Sequence, residues 1–388
     1  MSKRKYSFLL FSLLALAVLA NCKKSSAPNP AGPQAANPTA SQLNHVEGGT
    51  TPAPETKYFK GSIGTSLDLQ MKLVRTGDQL NGSYFYQKIG TKIDLRGTVD
   101  KDGNVLLDEF DPGGKQTGVF RGVWKVEEDG LIGISGNWSK PPGDKAAANK
   151  TAFSVHEEPI ALTGGVELVT KQIKENNKKL MYEIAIQYPQ LSGGSNPNFE
   201  KFNQGVKAAM TKKVAGFKKE MVPAEGEEPR PEGSMGSDLT VSYAVELAQD
   251  DLISIDFTVG SYYQGAAHPN AYSEVVNYDL KNGKPLKLSD LFKPGAKFLD
   301  VISAYCIADL KKQSKAKDGM LDDSSISSGA GPSVKNYGSW VIKKRGLGIN
   351  FDPYQVGPYA AGPQYVLVPY STLKELINPE GPVAQFAK

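Results

Sequence analysis

Few residues in this 388-residue chain are of a type and spacing that could do chemistry. There are three histidines, His45, His156 and His268, and two cysteines, Cys22 and Cys306. No pair of histidines has the HExxH or HxxxH spacing that would set two imidazoles on one helical face for zinc, so no metal or other cofactor is expected. There is no GxSxG elbow and no phosphate-binding glycine loop; Gly346-Leu347-Gly348 lacks the strand–helix context one needs. Cys306 and His268 are the available nucleophile and base, but Cys306 falls among residues spaced for a helix core. The carboxylates Asp256, Glu274 and Asp279 are the candidates for acid–base work on a glycosidic bond, which needs two carboxyl groups facing one another.

His268 lies in Gly265-Ala266-Ala267-His268-Pro269-Asn270. Its imidazole could meet a ligand, or it could bond to backbone and fix the loop that Pro269 stiffens. From Ser237 to Leu280 there are seven acidic residues (Asp238, Glu246, Asp250, Asp251, Asp256, Glu274 and Asp279) and no Lys or Arg. On alternating strands they would project from one solvated face. Beside Tyr262 and Tyr263 such a patch would steer and anchor a cationic protein; equally, it would be an ordinary wet sheet face. The candidate ligand-binding set is therefore Tyr262, Tyr263, His268, Asn270, Asp250 and Asp251, with no catalytic and no metal-binding residue.

Patterning says which elements must position these residues. Tyr58 to His156 holds short alternating runs, such as Leu67, Leu69, Met71 and Leu73, divided by glycine-rich turns. That is the pattern of an antiparallel meander or small barrel. Leu80-Asn81-Gly82, Leu95-Arg96-Gly97 and Ile134-Ser135-Gly136 mark places where strands bend. Tyr84, Tyr86, Trp124 and Trp138 are either core and rim of this domain or the lining of a sugar or peptide groove. After a connector from Glu157 to Gly165, Tyr182 to Pro189 reads as a strand. Asn196-Pro197 caps a helix with Phe199, Phe202, Val206, Met210, Val214 and Phe217 on one face. Residues 222–236 form a solvated loop. Alternating runs on either side of Gln249-Asp250-Asp251 predict a hairpin, and Asn282-Gly283 predicts another. A second helix carries Phe298, Val301, Ile302, Tyr305, Cys306 and Leu310. Lys311 to Ser333 is expected to be polar and mobile. Tyr365 to Val368 is a strand, and Thr372 to Glu375 a capping box for a last helix. The fold class is α+β: a small antiparallel all-β domain (57–157), then an α+β domain (165–388) with an antiparallel sheet and two to three packed helices. That second domain divides into modules at 165–260 and 261–388.

At the N-terminus, Lys3-Arg4-Lys5 precedes the apolar run Tyr6 to Ala20, shorter than the roughly 20 residues of a membrane span. It ends in Leu19-Ala20-Asn21-Cys22, similar to a lipobox although Asn21 stands where a small residue is usual. The expectation is a lipoprotein signal (1–21) with Cys22 lipidated, the alternative a plain signal peptide. Residues 22–56, rich in Pro, Ala and Asn, are expected to be a disordered tether with His45 outside any site. Without those first three cations, 42 basic residues face 41 acidic ones. A near-neutral body gives no electrostatic case for nucleic acid. No second hydrophobic span follows.

Several of these segments resemble the C-terminal domain of RsiV-type extracytoplasmic proteins: Gly265 to Pro269, Asn277-Tyr278-Asp279-Leu280, Lys281-Asn282-Gly283-Lys284, Leu288-Ser289-Asp290-Leu291-Phe292, and Phe351 to Pro363. The strand–proline–helix order before them resembles the module that precedes the catalytic domain in PdaC-type peptidoglycan deacetylases. The resemblance covers Leu168 to Ile377 and leaves the all-β unit aside. It implies non-catalytic binding at the cell envelope, with lysozyme or a peptidoglycan-related ligand as partner. The alternatives are an enzyme or enzyme accessory on cell-wall glycan, and a structural envelope protein or adhesin.

Overall fold

The structure is a computed structural model that describes residues 53–387 apart from residues 88, 90, 128–129, 223–235 and 317–319. The signal sequence, Cys22, the tether up to residue 52 with His45, and most of the 222–236 loop lie outside the described residues; Glu55 and Thr56, expected at the end of the tether, already pair in the first strand.

Eight strands close an antiparallel barrel in chain order: β1 (Glu55–Ile63), β2 (Leu67–Thr76), β3 (Gln79–Tyr86), β4 (Ile93–Val99), β5 (Asn104–Phe110), β6 (Gln116–Val126), β7 (Ile132–Ser139) and β8 (Lys150–Glu158). Phe59, Leu73, Leu80, Leu95, Phe120 and Val155 fill it, as expected for a barrel of this size. The glycines expected to mark bends are sites of close backbone approach: a Cβ on Gly97 would stand 1.9 Å from the Leu106 carbonyl oxygen, and Gly82 and Gly136 are similarly hemmed in by backbone. The aromatic rings belong to the core and its rim, not to a groove. Tyr84 is buried and, with Thr117 and the Trp138 indole, donates to the buried Glu109 carboxylate at 2.6–2.8 Å. Trp124 packs edge-on against Phe59.

The second sheet runs β10 (Glu167–Asn177), β11 (Tyr182–Ser192), β12 (Ser237–Gln249), β13 (Leu252–Tyr262), β14 (Asn270–Asp279) and β15 (Lys284–Pro285), with β9 (Ile160–Ala161) added beside β12. Helix α1 (Pro197–Met221) covers one face; Asn196 caps it by accepting from the Asn198 N–H, and Phe199, Phe202, Val206, Met210 and Phe217 are buried as spaced. The β12–β13 hairpin turns at Asp250-Asp251. Between β14 and β15 only Gly283 has positive φ, and the loop is four residues long, held by Asp279 accepting from the Asn282 backbone and side chain. The 260 division falls inside β13.

The other face of that sheet meets α2 (Phe298–Ala316), α3 (Asp323–Gly329), a three-stranded sheet of β16 (Trp340–Ile342), β17 (Gly346–Phe351) and β18 (Gln364–Pro369), and the single turn α4 (Tyr370–Leu373). The segment expected to be mobile, Lys311 to Ser333, is for the most part helical where it is described, in the end of α2 and in α3. Asp322 caps α3, and Ser314, Leu321, Ile326 and Ala330 are buried, since one apolar residue per turn suffices to seat a short helix. The expected capping box is also absent: α4 starts at Tyr370 behind Pro369, with no side-chain cap.

Barrel and sheet meet at a gap in β12. β11 pairs with it from Ser237 to Val241 and β9 at Ala248 and Gln249, leaving the edge between without a strand partner. Two side chains on the outer face of the barrel fill it. Lys60 donates to the Tyr243 carbonyl, and the Glu158 carboxyl accepts from the Val245 N–H.

Candidate functional site

The two segments that carry the His-Pro and Phe351–Pro363 motifs come together although some 80 to 90 residues separate them. The Ser273 N–H donates to Asp352 Oδ1 at 2.7 Å, tying the start of β14 to the end of β17. The Gln355 side-chain amide, in turn, donates to the Gly329 and Asn336 carbonyls at 3.0 and 2.9 Å. On this base the Tyr359 hydroxyl donates to the Pro269 carbonyl at 2.7 Å, and the same oxygen lies 2.9 Å from His268 Nδ1. A carbonyl only accepts, so Nδ1 carries the proton and Nε2 is left facing the Tyr354 hydroxyl, 3.5 Å away.

The outcome is a ledge of three rings. His268 stacks on Tyr359 with centroids 4.0 Å apart and planes 27° from parallel, and Tyr354 leans on Tyr359 at 5.5 Å. Tyr354 is 65% exposed and has φ 72°. A left-handed backbone at a bulky residue costs about 1–2 kcal/mol, and strain of this kind collects at functional sites. Of the two roles considered for His268, the bond to its own loop is what the geometry shows; the exposed residue also stands at the surface with its ring stacked on Tyr359.

Among the nominated residues, Asn270 is exposed at the start of β14, next in sequence to the ledge. Tyr263 is committed elsewhere. Its ring packs on Phe217, and burial, with Glu220 beside it, pushes its hydroxyl up to about 12. Tyr262 is half-buried opposite Asp238. Asp250 and Asp251 sit at the other end of the hairpin, just before Leu252, and the strand from Leu252 to Tyr262 alone spans about 33 Å. There the Asp250 carboxylate accepts from the Thr163 N–H at 2.7 Å. The nominated set therefore does not form one site. Tyr354 and Tyr359, inside a motif but not nominated, complete it; the signal was two tyrosines flanked by Pro and Gly in a loop.

Nor is there a single acidic face. Glu274 lies opposite Phe257 on the helix side and pairs with Lys213 at 2.6 Å, whereas Asp256 lies opposite Val275 on the other side. Glu246 pairs with Lys343, and Asp279 is buried in its turn. Alternation sets which side a residue faces, but β16 and β17 cover the side expected to be wet. Asp256 Oδ2 accepts from Asn350 Nδ2 at 2.7 Å, while Oδ1 is buried without a partner. Burial raises its pKa to about 6 despite that bond. Asp256, Glu274 and Asp279 hence do not converge as acid and base. Cys306 is fully buried on α2, its thiol pushed up to about 12, away from the exposed His268.

The described part of the protein is thus an antiparallel barrel joined to an α+β body that displays a fixed aromatic ledge. Residues 289–371 match the family described as a protein of unknown function, DUF3298, and residues 175–271 match the family described as deacetylase PdaC. The chain is 27% identical over 215 residues to peptidoglycan-N-acetylmuramic acid deacetylase PdaC of Bacillus subtilis, covering 55% of this chain and 42% of that protein. It is 27% identical over 113 residues to immunogenic protein MPT64 of Mycobacterium tuberculosis, covering 29% of this chain and 47% of that one. The chain thus spans under half the length of these relatives. Among solved structures, a DUF3298 family member from Bacteroides fragilis aligns with a TM-score of 0.46 and 21% identity, over 58% of this chain and 98% of that one. A DUF3298 family protein from Pseudomonas aeruginosa aligns with a TM-score of 0.38 and 17% identity, over 55% and 94%. Among the described residues no helix is long and apolar enough to cross a membrane.

Proposed function

We propose that this protein is an extracytoplasmic binding module of the cell envelope, anchored through lipid on Cys22, that holds glycan of the peptidoglycan class on the His268–Tyr359–Tyr354 ledge without turning it over. The observation that carries the reading is the ledge: the exposed His268 and Tyr354 set against the half-buried Tyr359, fixed from beneath by hydrogen bonds to two strands. Rigid aromatic faces contribute contact area at little entropic cost, and such residues dominate binding energy where they occur. The basic and apolar N-terminal stretch, similar to a secretory signal, supports the location, and the partial likeness to a protein named for peptidoglycan supports the ligand class. Lysozyme is the rival partner. With the carboxylates divided between two faces and two ends of the sheet, they form no patch to steer a cationic protein.

The test is co-sedimentation of residues 53–388 with purified peptidoglycan, alongside calorimetry with lysozyme at two salt concentrations. Saturable retention on peptidoglycan that falls about tenfold in Tyr354→Ala and in Tyr359→Ala, a loss of about 1.4 kcal/mol, supports the reading. Lysozyme binding without peptidoglycan retention overturns it, as does release of soluble fragments that stops with Asp256→Asn.

A further inference from the structure

A cleft of about 650 Å³ lies where the barrel meets the α+β body, within the size range of small-molecule sites. The barrel contributes Lys60, His156 and Glu158, and the opposite wall contributes Ser242, Lys344 and Arg345. The cross-strand register explains the barrel side: Lys60 lies opposite His156 and Tyr58 opposite Glu158, so these residues share the outer face of β1 and β8.

Glu158 is the unusual member. The Val245 N–H engages its carboxyl, yet Oε1 is shut off from solvent with no partner. A buried polar atom left so costs about 1–3 kcal/mol, a cost that a bound group would relieve. Burial pushes the Glu158 carboxyl up, towards its protonated form, against the pull of nearby Lys60. Lys60 itself is held by a carbonyl and by the Tyr243 ring, 5.0 Å away, rather than by an acid, and burial drives its amine down. Glu158 also lines a second cleft of about 610 Å³ on the β10 side, but only the first adds the exposed Lys344 at its mouth.

We infer that this cleft is a binding site for a small carboxylate-bearing saccharide, with the anionic group received by Lys60 and the Glu158 O–H and the ring lying against Leu131, Pro159 and Leu367. A carboxylate suits the floor because it accepts from both groups at once, and charge-assisted bonds of that kind are about twice as strong as neutral ones. Of the neighbouring acids, Glu157 pairs with Lys57 at 2.9 Å and Glu246 is taken by Lys343; Asp68, which also lines the cleft, attracts Lys60 through space without bonding to it. The site is separate from the ledge, and neither needs the other.

Residues 53–388 are titrated, with amide NMR as readout, against two matched pairs: methyl glucuronide with methyl glucoside, and N-acetylmuramic acid with N-acetylglucosamine. Each pair differs in a carboxylate. Saturable shifts around Glu158, Val245 and Lys344 that favour the acid at least tenfold in one pair are expected. Lys60→Met and the surface change Lys344→Glu should each weaken that binding several-fold, while Tyr354→Ala leaves it unchanged. Because Lys60 also supports the β12 edge, Lys344→Glu is the variant that decides should Lys60→Met misfold. No preference for the acid in either pair overturns the inference. So does binding indifferent to Lys344→Glu, or binding lost with Tyr354→Ala.

Discussion

Asn277 is where the α+β body can be taken apart with one atom-level change. It is 5% exposed and stands between two sheets. The Ile342 N–H donates to Ser254 Oγ at 2.9 Å, the Ser254 hydroxyl donates to Asn277 Oδ1 at 2.6 Å, and Asn277 Nδ2 donates to the Trp340 carbonyl at 2.7 Å. The chain of bonds leaves β16, crosses β13 and β14, and returns to β16. Replacing Asn277 by Ala orphans the Ser254 hydroxyl and the Trp340 carbonyl in a dry place. At about 1–3 kcal/mol for each buried unsatisfied group, the loss centres on about 4 kcal/mol. Tenfold corresponds to about 1.4 kcal/mol, so if β16 opens locally, exchange of the Val341 and Ile342 amides should accelerate by nearly three orders of magnitude. Barrel amides such as Leu107 should be unaffected. Ser254→Ala should cost less in the Asn277→Ala background than alone, with a coupling of about 1–2 kcal/mol, as for residues in one network. Acceleration under about tenfold, or strict additivity, would refute the reasoning.

Gly97→Ala should destabilise the barrel by at least 2 kcal/mol in urea unfolding, since a Cβ 1.9 Å from the Leu106 carbonyl forces two strands apart; a neutral effect would show that the strands do not approach this closely. Asp256 has a folded value of about 6 against an ordinary 3.8. A raised acid contributes fully below its unfolded value, and that contribution is lost as pH climbs through the folded one. Asp256→Asn should accordingly stabilise the protein relative to its parent at pH 7.5 and not at pH 4, judged from melting midpoints; an equal shift at both would sink the assignment. Cys306, fully buried with its thiol pushed up to about 12, should resist a thiol reagent in the native protein and react only as urea unfolds α2.

Local physics made much of this fold legible. The Gly-rich turns announced the barrel, Asn196-Pro197 and the Phe199–Phe217 spacing announced α1, and alternation on both sides of Asp250-Asp251 announced the central hairpin. Strand β10 escaped notice because Lys171, Lys174 and Glu175 interrupt its apolar residues, as edge strands require to stay soluble. Lys311 to Ser333 looked mobile because its anchors, Leu321 and Ile326, are few and far apart in a polar run. The ledge was half legible. His268 stood out by type, but Tyr359 reaches Pro269 across 90 residues of chain, and no local pattern encodes that meeting. The acidic residues misled for the converse reason, since periodicity states a side and is silent on what lies against it.

The gap in β12 gives the barrel a second duty. A strand edge with free N–H and C=O groups is a template on which another chain can add. Lys60 and Glu158 close that template with two side chains in place of a whole strand. A chain cut down to its α+β body would present the Ser242–Leu247 edge bare, and size-exclusion chromatography should find it self-associating where residues 53–388 are not. The barrel is in this respect a chaperone carried in cis, guarding the sheet from its own kind.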